Sequence, residues 1–350
     1  MSAGPALEDA IARLPAPWAA GAALYAQIEA ALAADPETRA IEMEWRASEG
    51  SSEVRWAPGA IDSLFGAPDE TPGRIKARQI IAALNNVARQ PSARSFAHLY
   101  ALLLEDDVIH VIDQILPNIA EQGAHHRETL AALARRLAKE APDAEPVKAG
   151  LALLGVFGEA RDADLIARLG RHDEFTVYSV VALSNLLGEE SETQIWALAK
   201  QVHGWGRIQA VERLRHTQDA AIKAWMLREG FRNDVADGYL ACLCARAGAL
   251  KEALEAKRAD AALLMGAADL FDAMLSDGPG EGVEDYAEAG EAASLYLDHL
   301  TRTPSDEAQH FLVAQRLIAF VNEDSRAQAW PAATRFAIKA RAGAVLKRSE

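Results

Sequence analysis

Arginines set among aromatic side chains are the residues of this sequence best suited to hold a ligand. Trp205 and Arg207 open one helical stretch, Trp225, Arg228 and Arg232 follow on the next helix and turn, and Tyr239 begins a third. A guanidinium makes forked hydrogen bonds to carboxylates and stacks on aromatic faces, so this set points to recognition of an anionic or carboxylate-bearing partner. Positions 200–232 hold seven Lys or Arg against three Asp or Glu, a positive strip in a chain whose formal net charge is -15. The apolar face of the helix that starts near Trp205 is expected to be Ile208, Val211 and Leu214, which turns Arg207 and Glu212 away from it. A competing reading gives Arg207, Glu212, Arg228 and Glu229 a purely architectural task, tying one pair of helices to the next.

Other groupings carry less chemistry. Glu121 stands four residues before His125, a spacing that a continuous helix turns into two metal ligands, but Gly123 interrupts that turn. His98, His110 and His126 supply no third ligand at helical spacing, so no metal site is expected. Glu105, Asp106 and Asp107 lie where a helix begins, and carboxylates there more often satisfy free N–H groups than work as an acid–base pair. A G-x-S-x-G nucleophile turn and a G-x-x-x-x-G-K-[ST] phosphate loop are both missing from the sequence.

The elements that must position these residues read as helices. Half of the residues are apolar but only 6% are aromatic, and the abundance of Ala and Leu suits helices packed closely through small or unbranched side chains. After Arg74, apolar residues recur three and four apart, as in Leu99, Leu102 and Leu103 and then Val108, Val111, Ile112 and Ile115. Asp106 or Asp107 is expected to cap the helix near Val108, and Pro117 to end it or open the next. Gly158 is followed seven residues on by Leu165 and Ile166, and Gly188 at the same distance by Ile195 and Trp196, an offset of 30. Similar signals recur at Ile222 and at Leu250, so the expected fold is all-α, a HEAT-like helical-repeat solenoid whose helix pairs stack to bury faces that none can bury alone.

Residues 1–74 are expected to cap this array, 75–345 to form it and 346–350 to be a tail. Within the cap, Ile41, Met43, Trp45, Val54 and Trp56 alternate around a Ser-Glu-Gly-Ser-Ser turn, which reads either as a small β-hairpin or as an extended loop over the first helices. Eight acidic residues and no Lys or Arg fall between 269 and 291, a run read as a solvated loop around Ser276, with an interaction surface as the alternative. Cys242 and Cys244 lie two apart on one helix and cannot bridge. The first residues lack the pattern of a signal peptide, and no uncharged apolar stretch reaches the roughly 20 residues of a membrane span. The expectation is a cytoplasmic chain without membrane contact.

The stretches GWGRIQAVERL at 204–214, KAWMLREGFRN at 223–233 and YLACLCARAGAL at 239–250, with RWAPGAIDSLFG at 55–66, resemble a group of bacterial HEAT-like proteins often called limonene hydroxylases. The resemblance implies a helical-repeat fold and, by the name, a small-molecule oxygenase; it transfers no catalytic residue. Hydroxylation of an unactivated carbon needs an oxygen-activating cofactor. Cys242 and Cys244 sit in an apolar helical run rather than a haem-ligand loop, and Gly204 and Gly206 have no strand before them as a dinucleotide turn requires. Helical-repeat enzymes that repair alkylated DNA are similar in architecture, but they require a basic groove that the net charge opposes. The sequence therefore favours a non-catalytic scaffold, with no cofactor, that binds a protein or peptide through the concave face of a helical array. Nucleic acid is the disfavoured partner, and an oxygenase the alternative function.

Overall fold

A computed structural model describes residues 9–44, 70–105, 107–278, 280–303, 305–323 and 325–347. Among the described residues the chain is all-helical and contains no strand. It forms two compact units, Met1–Ala210 and Val211–Glu350. Ile41 and Met43 are buried in irregular chain, while Trp45, Val54 and Trp56 of the expected hairpin, and the segment 55–66, lie outside the described residues.

The first unit runs through α1 (Leu24–Ala34), α2 (Glu70–Arg89), α3 (Ala93–Leu103), α4 (Ile112–Gln122), α5 (Arg127–Glu140) and α6 (Ala144–Phe157). It continues with α7 (Ala163–Leu169), α8 (Asp173–Leu187), α9 (Ser191–Gln201) and the start of α10 (Gly204–Arg213), which crosses the boundary between the units. Its centre is α6, buried at every position except Val156 and packed against α3, α4, α5 and α8. A helix apolar nearly all round has no solvent face to offer, and this composition places it inside the layers. Gly150 and Gly155 set the approach distances: a Cβ on Gly150 would meet the Ala138 backbone nitrogen at 2.8 Å, and one on Gly155 the Ala182 Cα at 2.9 Å.

Buried arginines tie the N-terminal chain to this core. Arg136 on α5 donates to the carbonyls of Ile11 and Leu14 and lies over the rings of Trp18 and Phe96. Arg171 donates to the carbonyls of Pro36 and Thr38. Irregular backbone laid on a core has no helical partners for its carbonyls, and a guanidinium with five N–H groups supplies several at once.

Two local expectations are corrected. Pro117 neither ends nor opens a helix but lies within α4. Asp107 makes no side-chain cap, and Asp106, the other expected cap, lies outside the described residues; the Val108 N–H donates at 2.6 Å to Glu145 Oε2, 37 residues further on. The two segments offset by 30 residues are locally alike: each has a long helix (α6, α8), a 3-10 turn (Ala160–Asp162, Gly188–Glu190) and a shorter helix (α7, α9).

The second unit begins with α11 (Ala220–Trp225), continued by a π turn at Met226–Gly230. It then forms α12 (Gly238–Ala247), α13 (Leu250–Leu254), α14 (Ala261–Met274), α15 (Ala289–Arg302), α16 (Ala308–Glu323) and α17 (Ala332–Leu346). Asp219 caps α11 through the N–H groups of Ala221 and Ile222, and Asp260 caps α14 through that of Leu263, each side chain satisfying donors that the first helical turn leaves orphaned. α14 packs against the π turn, α12 and α16. Here too a glycine sets the distance, since a Cβ on Gly266 would stand 2.0 Å from the Leu227 carbonyl oxygen. No helix among the described residues is long and apolar enough to cross a membrane.

Candidate functional site

The six residues singled out by type and spacing divide between the two units. Trp205 and Arg207 belong to the first, and both are buried. Ile208, Val211 and Leu214 form the expected apolar stripe, but Arg207 does not face away from packed protein. Its Nη1 donates to the Ala199 carbonyl at 2.9 Å. Ala199 lies in the last turn of α9, where carbonyls lack helical partners, so the guanidinium closes that helix end.

In the second unit Trp225 is buried beneath the π turn, where Gly230 stands against its ring, and Tyr239 is half-buried on α12. Arg228 donates to the Ala224 carbonyl and forms an ion pair with Asp260 at 2.7 Å. Arg232 pairs with Asp269 at 2.5 Å and lies over the Phe231 ring. Both arginines thus reach α14, and Asp260 holds its carboxyl below the usual carboxylate range through the Leu263 N–H and then Arg228.

A buried polar cluster lies at the N-terminal ends of α6 and α8. Lys148, 3% exposed, donates to Glu145 at 2.8 Å and Glu174 at 2.6 Å. Burial pushes the Glu145 carboxyl up to about 7 despite the neighbouring Lys148 charge. His172 caps α8, its Nδ1 accepting the Glu174 N–H at 3.1 Å, and burial pulls its imidazole down to about 4. Asp143 accepts the Tyr100 hydroxyl at 2.6 Å. These groups are enclosed and mutually satisfied, an arrangement that fixes helix ends rather than one that receives a ligand.

An open groove of the first unit lies between α2 and α4. The groove, of about 920 Å³, is walled on one side by Arg74, Arg78 and Arg89 and on the other by Gln114, Asn118 and Gln122. Its floor includes Ala77, Ile81 and Ala82, and Asn85 and Asn86 complete the α2 wall. Residues 74, 78, 82, 85 and 89 share one face of a helix, as do 114, 118 and 122, and Asn85 Nδ2 bridges the two helices by donating to Gln122 Oε1 at 2.9 Å. No Asp or Glu lines this groove. Among the described residues, neither Arg78 nor Arg89 pairs with a carboxylate. Asn85 Oδ1 is buried and receives no hydrogen bond there.

A smaller groove of about 390 Å³ lies in the second unit, beside the acidic run at Asp277, Glu281, Glu284 and Asp285. Arg246 pairs with Glu281, and Arg326 with Glu284 and Asp277. His98 and His125 are exposed, and no three His, Cys, Asp or Glu side chains among the described residues converge as a metal ion requires. Both cysteines are buried as free thiols, and burial pushes that of Cys242 up to about 12.

The arginines of α2 carry no aromatic neighbours in sequence, so the rule that singled out 205–239 passes over them. A signal was nonetheless present: two helical stripes, one of arginine and one of carboxamides, without a carboxylate in either. Comparison with protein-family models, with curated proteins and with solved structures finds no match.

Proposed function

We propose that the protein is a non-catalytic, helical-repeat binding protein that engages a protein or peptide segment in the groove between α2 and α4. One observation carries the reading: in a chain of net charge -15, this groove presents arginines and carboxamides and no acidic side chain. Side-chain amides offer a donor and an acceptor each and suit a polypeptide, whose backbone offers both in return. The locally alike segments at an offset of 30 support the helical-repeat part of the reading. The groove takes precedence over the strip at 205–239 because Arg228 and Arg232 already hold carboxylates of their own unit.

The test is selection of a random-sequence peptide library on the full-length protein, followed by affinity measurement against wild type and Ala82→Trp. Ala82 is exposed on the groove floor, and an indole there fills the space. Selected peptides are expected to bind the variant at least about tenfold more weakly while its melting temperature is unchanged. Equal binding to both proteins, or a library that yields no binder, would defeat the proposal.

A further inference from the structure

We infer that the occupant of this groove is an amphipathic α-helix with acidic residues at two positions eleven apart on one face and apolar side chains between them. The inference rests on the peptide-binding reading above and deepens it to one conformation and one side-chain pattern.

The walls give the groove its direction. Gln114 Nε2 lies 3.5 Å from the point where a Cβ on Gly73 would stand, and further along both helices Asn85 Nδ2 bonds Gln122 Oε1. α2 and α4 therefore run in the same direction, and the groove follows them. An α-helix about 10 Å across rests on two such neighbours as the third member of a layer, and a crossing angle of about 20° keeps it beside α2 for several turns.

The charges fix the interval. Arg78 and Arg89 are eleven residues apart, about three turns and 16 Å along α2, so both guanidiniums project from one face. Neither pairs with a carboxylate among the described residues. In an extended chain 16 Å spans about five residues, an odd number that turns the first and last side chains to opposite sides. A helix laid along α2 repeats the rise of α2 itself, and its residues eleven apart meet both arginines from one face. Hydrogen-bonded guanidinium–carboxylate pairs are the strong contacts such a groove can make. Arg74 also lines the groove but is already engaged within the chain, and it sets no part of the register.

Between the arginines the surface calls for apolar side chains. The face of α2 reads Arg78, Ala82, Asn85, Arg89, in steps of four, three and four residues, and a partner helix presents a stripe with the same steps. Ala82 is exposed midway, with Ala77 and Ile81 on the same floor, and its small methyl group leaves room for a larger side chain opposite. Seven residues before Ala82, and so near the same face, Ile75 is 62% exposed beside the groove. A covering helix removes that aliphatic surface from water. Polar residues flanking the partner's stripe reach Gln114, Asn118 and Gln122, whose amides both donate and accept. Single-stranded nucleic acid shares the negative charge, yet no aromatic ring on which bases stack is among the described lining residues.

The test is selection on the full-length protein from a library of peptides held helical by a cross-link on the outward face, with positions 1, 5, 8 and 12 randomised. The wild type is expected to enrich Asp or Glu at positions 1 and 12 and aliphatic residues at 5 and 8. Arg78→Glu combined with Arg89→Glu is expected to enrich Lys or Arg at positions 1 and 12 instead. Moving one acidic residue of the selected peptide from position 12 to position 10, on the opposite face, is expected to weaken binding at least about tenfold, and Ile75→Gln at least about threefold. Selected helices without the terminal acidic pair, or the same preference on the charge-reversed protein, would overturn the inference, and undiminished binding by Ile75→Gln would overturn the placement along α2. A twelve-nucleotide single-stranded DNA that displaces the selected helix at equal concentration and salt would transfer the groove to nucleic acid. If linear library peptides bind and are blocked by Ala82→Trp while the helical library yields none, this inference falls and the peptide-binding function stands. If neither library yields a binder, both fall.

Discussion

Arg228 in the π turn and Arg232 just beyond it share their residue type with Arg78 and Arg89 on α2, but their surroundings give them different work. In the second unit Asp260 and Asp269 project from α14 and neutralise Arg228 and Arg232, drawing the π turn onto that helix. In the first unit, no described carboxylate pairs with Arg78 or Arg89, and the facing wall offers carboxamides. A local excess of positive charge in a sequence therefore marks a binding surface only where the folded neighbours do not supply the counter-charge.

Four perturbations would break or sharpen this contrast. The largest concerns the contact that brings the π turn and α14 together. Gly266→Ala forces a methyl group to 2.0 Å from the Leu227 carbonyl oxygen, and thermal unfolding is expected to show a loss of about 3 kcal/mol, the upper end of what overpacking costs. A variant as stable as wild type would mean that α14 does not rest on the π turn, and the ion pairs to Asp260 and Asp269 would lose their frame.

The second lies in the buried cluster of the groove-bearing unit and is read from stability against pH. His172 titrates near 4 when folded and near about 6.5 when unfolded. As pH falls from 6.5 the unfolded state takes up a proton that the folded state refuses, so stability drains away down to about 4 and amounts to about 3 kcal/mol over that window. Glu145 works in the opposite sense. Its folded value near 7 lies above the unfolded one, so its contribution is full below about 4.5 and is lost as pH rises to 7. In the wild type the two slopes oppose each other. Denaturant titrations of Glu145→Gln are expected to expose the acid limb of His172, and those of His172→Asn, which keeps a capping oxygen for the Glu174 N–H, the rise toward acid caused by Glu145. Profiles of both variants that parallel wild type would show that neither group titrates as placed.

Third in size is Asp260→Ala, which removes the cap of α14 and the partner of Arg228 together. A cost of about 1 to 2 kcal/mol in chemical denaturation is expected, the usual value of an N-cap. The smallest stability effect belongs to Arg78→Gln and Arg89→Gln, within about 0.5 kcal/mol, because an exposed side chain that forms no ion pair among the described residues contributes little to folding. If these two substitutions cost as much as Asp260→Ala, the groove arginines are structural after all and the contrast between the regions collapses.

Much of the helix order was legible in advance, because period-3.6 patterning needs only local sequence: Ile208 and Val211 of α10 and Leu214 just beyond it are buried as their spacing predicts. Spacing also identified the 30-residue offset between the Gly158 and Gly188 turns. Of its two cap candidates, Asp107 makes no cap and Asp106 lies outside the described residues; it misassigned Pro117, since a proline lying within α4 looks the same in sequence as one at a helix border. For the site, residue type drew attention to Arg207, Arg228 and Arg232 but was silent on what each would meet.

The sequence by itself determined that the described chain is helical and that arginine is its main tool for recognising carboxylates and carbonyls, because periodicity and side-chain chemistry are properties of residues and their near neighbours. Only the tertiary structure decided which arginines are consumed by the fold. Whether a guanidinium meets the end of α9, an aspartate of α14 or an open groove depends on which distant segment packs beside it, and charge counted along the chain does not hold that information.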